Sequence, residues 1–565
     1  MAPIDILPQD VLLNIFTLLA TIDDDPAWRE KRKLIHYAAS DIFDAGTALC
    51  QSRWNSHVCQ FWRATILQAP SIWARIINIP YLSQINSEWR NAVLLRTGRA
   101  PLIIKAELNL QHSSISRQEM ANSILLSILK EDMIRIKSLD VTIRYNTAAM
   151  ASKASKLFQQ PAPILEIFKL QYSSWNHSEA FINMADLFAN QAPSLREFEC
   201  TSFPQFPLDT SWMSQLRVLR IDFTRLKVNY GRTLRINRAA LLRALAQMQS
   251  LHTLEAAFFP DLLRSSGKSV GLEGLRLPDS LKSISLEADF DACLDILRYA
   301  PYSTPTFHLH LKCFSDHDLP KPFGTIPLQH ATEMQRIIIL YLRGYLAVNP
   351  INHLSVTIGV NGILLVGRLP NPDANKNTGF RLPIPFNSHQ DLSSFLKDLS
   401  TLRIDAIRIF EINNTFMPDV PELFDHFPAI ASALTGVETL RASPSFISTL
   451  NNIPTTLDAS YFPRLREIHA GNHDPRAIPD DIIDFLHCRT YNPKNIETVD
   501  LLECDDLLAN QFLKLFGGFR GLTIKWKTWQ SCERIYVVGD HGGTWLSHSQ
   551  GARLTRKPRT LKVAK

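Results

Sequence analysis

The sequence predicts an α/β chain, with a small all-α unit at the N-terminus followed by a long array of strand and helix segments. Three observations predict it. Helical apolar spacing with helix-start and helix-stop residues dominates residues 1–80; a short aliphatic pattern suited to strands buried on one face recurs from about residue 130 onward; the stretches between recurrences read as helix or turn. The expected division is 1–80 for the helical unit, with a long insertion at 21–56, and 81–129 for a linking helix and the first strands. Residues 130–538 form the array, and 539–565 a C-terminal turn and a basic tail expected to be disordered.

The first helix is read from LPQDVLLNIFTLLA, residues 7–20. Pro8 brings a fixed φ and lacks a donor, which suits a first turn, and Asp10 complements the positive end of the helix dipole. Leu12, Ile15, Phe16 and Leu19 make one apolar face. HVCQFWRATILQAPSIWARI, residues 57–76, sets Val58, Phe61, Trp62 and Ile66 on a second apolar stripe, and Pro70 stops it. Pro70-Ser71 then starts a further short element whose Trp73 and Ile76 are assigned to internal packing. In SEWRNAVLLRTGRAPLIIKAEL, residues 87–108, a helix is expected to end near Gly98 and a strand to start at Pro101-Leu102.

The order LP, IF, VC, WR and PSxW resembles the F-box, especially the F-box-like domain of the expanded fungal families, and residues 87–108 resemble the segment that leads from such domains into their repeats. The interval from Thr21 to Ser56 is longer than in compact F-boxes, with Asp23 to Asp25 and a basic run at 29–33. The resemblance implies docking on a Skp adaptor and, through it, on a cullin ubiquitin ligase, by helix packing without chemistry. Carried over by motif position, Leu7, Pro8, Ile15, Phe16, Val58, Cys59 and Trp62 are the candidate adaptor-binding residues.

The recurring pattern is an aliphatic residue, a second apolar residue three on, and a third two beyond that. It starts as IKSLDV at 136, LEIFKL at 165, LREFEC at 195, LRVLRI at 216, LHTLEA at 251, LEGLRL at 272, LKSISL at 281, VETLRA at 437, LREIHA at 465 and IETVDL at 496. The last two apolar residues lie two apart on a strand and point into one core while the residue between them faces out. Stacked units bury a continuous core that none forms alone, and the array resembles an irregular leucine-rich-repeat solenoid. DLLRS, AALLRALAQM and DIIDFLHC read as intervening helices. Between 300 and 430 the pattern is faint, although FHLHLKC, IIILYL, LSVTIGV and GILLVG read as strands. Outward residues, including Asp140, Lys169, Glu199, Arg220, Glu255, Arg276, Ser285, Arg441, His469 and Asp500, have mixed signs and name no substrate class.

The formal charge of +6 equals the six Lys and Arg residues between Gly551 and Lys565, a stretch without acids, so the body of the chain is neutral. A neutral body argues against a broad phosphate-binding face, and no nucleic-acid partner is expected. Eight scattered cysteines fit a reducing compartment, hence a cytoplasmic or nuclear protein. No apolar stretch is long enough to span a bilayer, since RIIILYLRGYLAV is broken at Arg343, and no membrane partner is expected. GNHD at 471–474 and GDHGG at 539–543 look like phosphoesterase metal boxes, but the further boxes a two-metal site needs are missing, and each fits a polar turn after a strand. His308, His310 and His317 with Asp316 and Asp318 lack a converging ligand pattern. The expectation is a noncatalytic substrate receptor without cofactor or metal, which binds a Skp adaptor through its helices and a client protein through its repeats. The alternative is an F-box-like scaffold that assembles no ligase.

Overall fold

The computed structural model describes, in the first part of the chain, residues 7–21, 48–83, 86–108, 115–144, 148–173, 186–201, 208–224, 236–258, 263–264 and 272–301. In the second part it describes 307–313, 326–359, 362–370, 379–386, 389–414, 427–443, 446–447, 450–451, 461–470, 479–489, 496–503, 513–527, 533–539 and 544–548. Most of the 21–56 insertion, the GNHD box, most of GDHGG, His317 with its two aspartates and the basic tail lie outside the described residues. Two compact units divide the chain, residues 1–301 and 302–565.

The first unit begins with α1 (Gln9–Leu19), α2 (Ala48–Asn55), α3 (Gln60–Leu67) and α4 (Pro70–Arg75). Next come β1 (Ile77–Asn78), α5 (Ile79–Leu82), α6 (Ser87–Arg96), β2 (Leu102–Leu108), α7 (Ile115–Asp132), β3 (Ile136–Arg144), α8 (Ala148–Phe158) and β4 (Ile167–Ser173). The unit continues through β5 (Glu197–Thr201), β6 (Val218–Asp222), β7 (Ile236–Asn237), α9 (Arg238–Gln247), β8 (Thr253–Ala257), β9 (Leu263–Arg264), β10 (Ser283–Ala288) and α10 (Phe290–Arg298). Strands β1 to β6, then β8 and β10, pair in parallel in chain order, while β7 and β9 form a separate parallel pair. Parallel neighbours need a crossover, which the intervening helices and turns supply. Inward pairs such as Leu139 and Val141, Phe168 and Leu170, and Leu219 and Ile221 are buried, as strand alternation requires.

A turn recurs ahead of these strands. The backbone N–H of Leu165, Leu195, Leu216, Leu251 and Leu281 donates to the carbonyl three residues earlier, on Ala162, Ala192, Met213, Met248 and Pro278 respectively. Each acceptor residue is buried. The residue after each leading Leu carries the stacking bonds: both Arg196 and Glu197 donate to the carbonyl of Glu166, and both Arg217 and Val218 to that of Arg196. An apolar residue three places before the leading Leu is therefore part of the repeat, because it closes the turn from below.

The second unit contains β11 (His308–Cys313), α11 (Leu328–Val348), β12 (His353–Gly359), β13 (Gly362–Arg368), β14 (Gly379–Pro385), α12 (His389–Ser400), β15 (Ile409–Asn414) and α13 (Phe427–Ala433). It ends with β16 (Thr439–Ala442), β17 (Glu467–Ala470), α14 (Pro479–Arg489), β18 (Thr498–Glu503), β19 (Thr523–Lys527), β20 (Glu533–Val537) and β21 (Thr544–His548). From β12 the sheet runs in parallel through β15, β16, β17, β18 and β19, then closes antiparallel with β20 and β21. On its other side β12 pairs antiparallel with β13 and β13 with β14, which lies parallel to β11. That meander interrupts the repeat, which is why residues 300–430 show the pattern so faintly.

Three local readings are corrected. LEGLRL forms no strand, since Gly274 takes a left-handed φ of 78° in its middle and breaks the extended backbone. IIILYL lies within α11, where Met334, Ile337, Ile338, Tyr341, Leu342 and Tyr345 are buried at helical spacing and override the local β-branched run. DLLRS contributes the two residues of β9 rather than a helix. AALLRALAQM and DIIDFLHC do fall on α9 and α14. Among the described residues no helix is long and apolar enough to cross a membrane.

Candidate functional site

The N-terminal helices build a small apolar core with an apolar rim. Pro8 caps α1 and is exposed, Leu7 before it is half-buried, and the Leu12 N–H donates back to the Pro8 carbonyl. Helix α1 packs on α2, α3 and α4, burying Leu12 and Phe16. The ring of Phe16 meets that of Trp62 edge-on, with centroids 5.0 Å apart. Cys59 caps α3, its Sγ accepting from the Trp62 backbone N–H at 3.4 Å, so the IF, VC and W positions of the motif are linked through Trp62. Trp73 is buried as expected, its Nε1 donating to the Ile66 carbonyl at 2.8 Å with the Arg96 guanidinium 5.0 Å over its ring.

The frame beneath is tied to the sheet. Helix α6 ends at Arg96 with Thr97 as its cap, Gly98 follows with a left-handed φ of 48°, and β2 begins at Leu102, as the sequence predicts. Arg135, just before β3, donates to the Thr97 hydroxyl at 2.8 Å and to the Ala100 carbonyl at 3.0 Å. The Ile77–Asn78 strand pairs with Ile104 and Lys105 of β2, so the helices continue directly into the parallel sheet.

The predicted docking residues divide by burial. Phe16 belongs to the unit's own core, Leu7, Cys59 and Trp62 are half-buried, and Pro8, Ile15 and Val58 are exposed. Sequence reasoning missed Val11, Leu18 and Phe61 as surface groups, yet Val11, Ile15 and Leu18 form an outward stripe one residue removed from the buried Leu12 and Phe16. Leu18 is 71% and Val58 56% exposed, large values for aliphatic side chains beside a core. The indole Nε1 of Trp62 is sealed from solvent and has no hydrogen-bond partner among the described residues. The exposed aliphatics Val11, Ile15, Leu18 and Val58 leave apolar area uncovered on this small helical unit.

The outward sheet faces are polar and largely self-paired. In register across the first unit stand Lys105, Asp140, Lys169, Glu199, Arg220 and Glu255, in strictly alternating sign. Arg220 reaches Glu255 at 3.0 Å and Glu199 at 3.8 Å, and Lys169 reaches Glu197 at 3.7 Å. Arg276 lies outside the strands and takes no place in this row. Across the second unit the row is Ser355, Glu411, Arg441, His469, Asp500 and Lys525. The hydrogen bond from His353, helped by Asn413 and the Arg441 charge, outweighs burial and holds the Glu411 carboxyl at about 2.

Of the histidines weighed as metal ligands, His308 and His310 share one face of β11, and burial holds both below the usual imidazole range. The His308 ring packs against Tyr345, whose hydroxyl burial pushes up to about 12. Among the described residues no three His, Cys, Asp or Glu side chains gather as a metal set. No known family model matches the chain, and no curated protein matches it significantly.

Proposed function

We propose that this chain is the substrate-recognition subunit of a Skp, cullin and F-box ubiquitin ligase, and that it acts by binding alone. The N-terminal helices dock the Skp adaptor, and the outward sheet faces hold the client. One observation carries the reading: Phe16 of the IF pair meets Trp62 edge-on, Cys59 of the VC pair caps the helix that carries Trp62, and the neighbouring Ile15 and Val58 side chains are exposed. An exposed apolar face on a small helical unit marks a protein interaction site, and an apolar adaptor surface would match it in chemistry. On this reading the chain is an F-box-like unit continued by an irregular leucine-rich-repeat solenoid, and its client surface is an extended polar sheet face that selects by complementarity.

The test is affinity purification of the tagged chain followed by identification of the bound proteins. Recovery of a Skp adaptor together with a cullin is expected. Recovery of client proteins with neither would leave a scaffold that assembles no ligase.

A further inference from the structure

We propose that Arg441, with His469 beside it, is a docking point for a carboxylate on a bound acidic peptide segment. The two residues face outward from adjacent strands, in register, in the second unit's polar row. The acids of that row, and Glu467 two residues before His469, are already engaged. Glu411 is held by His353 at 3.1 Å and Asn413 at 2.8 Å, Asp500 lies 3.4 Å from His469 Nδ1, and Glu467 lies 3.7 Å from Lys525. Arg441 donates to no group among the described residues, and its Nε is sealed from solvent. His469 Nε2 lies 3.3 Å from Glu467 without the alignment of a hydrogen bond and is sealed without a hydrogen-bond partner. Those two sealed nitrogens are out of a ligand's reach, but the terminal nitrogens of Arg441 are not sealed and donate to no group among the described residues, so the guanidinium keeps an open, unpaired edge.

The first unit supplies the contrast. Arg220 occupies the same place between two inward apolar residues, yet a glutamate stands on each adjacent strand and both pair with it. Arg441 has Glu411 on one side, committed to His353 and Asn413, and a histidine on the other. A guanidinium with free donors takes a planar carboxylate bidentately. Glu411, Glu467 and Asp500 close by repel a phosphate dianion about twice as strongly as a carboxylate monoanion, which favours carboxylate of the two. The inference rests on the placement of the client on the sheet face and names a feature of that client.

The test is an array of immobilised twelve-residue peptides, identical except for Glu, Asp, Gln or phosphoserine at one central position, probed with the full chain. Wild type should bind Glu and Asp peptides at least five-fold more strongly than Gln peptides, and phosphoserine no better than Glu. Arg441→Gln should abolish the preference and Arg441→Lys should retain part of it. If Arg441→Gln does not fold, Arg441→Lys and the loss of the wild-type preference in high salt decide the matter. No Glu-over-Gln preference in wild type, a preference undiminished in the variants or insensitive to salt, or stronger binding of phosphoserine overturns the proposal. Adaptor binding is measured separately on the same proteins. A carboxylate preference without adaptor binding overturns the ligase reading and leaves this site standing; the converse does the opposite.

Discussion

Trp62 rests edge-on against Phe16 and joins α3 to α1, so this contact holds the helical unit together. Trp62→Ala removes that contact and should destabilise the unit by about 2–4 kcal/mol. Trp62→Phe keeps an aromatic ring on Phe16 and removes the sealed, unpartnered Nε1, so it should cost less than half as much. Thermal unfolding of the two variants checks the order.

Phe188, Ala189 and Asn190 are three consecutive residues with left-handed φ of 59°, 50° and 59°. Phe188 is held there by burial, its ring 5.1 Å from Phe168 and 5.9 Å from Trp212. Ala189 is exposed and has no such reward. Since a left-handed backbone costs an L-residue about 1–2 kcal/mol, Ala189→Gly should stabilise the chain by about 1 kcal/mol. Ala189→Val should destabilise it, and urea denaturation of both variants measures the difference.

Arg220 between Glu199 and Glu255 sets up a charge-swap cycle. Arg220→Glu alone places three carboxylates in a row and should cost about 1 kcal/mol, screened by salt. Adding Glu255→Arg restores one attractive pair and should recover about half. A second substitution that recovers nothing, at any ionic strength, would mean that the ladder does not contribute to stability.

Glu411 gives a pH dependence with a definite sign. Its folded pKa, held at about 2 chiefly by His353, lies below the unfolded value, so its contribution is present above about pH 4.5 and is lost as pH falls towards about 2. The side chain is only a quarter exposed, and linkage puts the contribution at roughly 2–3 kcal/mol. Glu411→Gln should flatten the acid limb of stability across that window, as read from denaturant midpoints between pH 2 and pH 5.

Much of this architecture is legible in the residues. LREFEC, LRVLRI and LHTLEA become strands because their apolar spacing matches both the strand period and the turn that precedes it. The apolar residue that closes that turn, Ala192 ahead of Leu195 or Met213 ahead of Leu216, is also in the text, but it looks like loop until the hydrogen bond is seen. IRIFEI at 407–412 carries the pattern and becomes β15, although the meander around it hides the repeat. The IIILYL segment misleads because six residues show only local propensity, whereas the helical period of α11 extends over twenty-one. At the N-terminal site the motif gave the positions but not their burial: Phe16 and Ile15 are adjacent letters, and only helix packing decides that one is core and the other surface.

The most direct test of the ligase reading is calorimetric titration of purified Skp adaptor into the full chain, wild type and with Ile15→Asp plus Val58→Asp. Both substituted positions are exposed, so the variant should unfold at the wild-type temperature within a few degrees. The account predicts a saturable one-to-one complex with wild type and at least a hundred-fold weaker binding by the folded double variant. A wild-type chain that binds no adaptor, or a folded double variant that binds it equally well, contradicts the account.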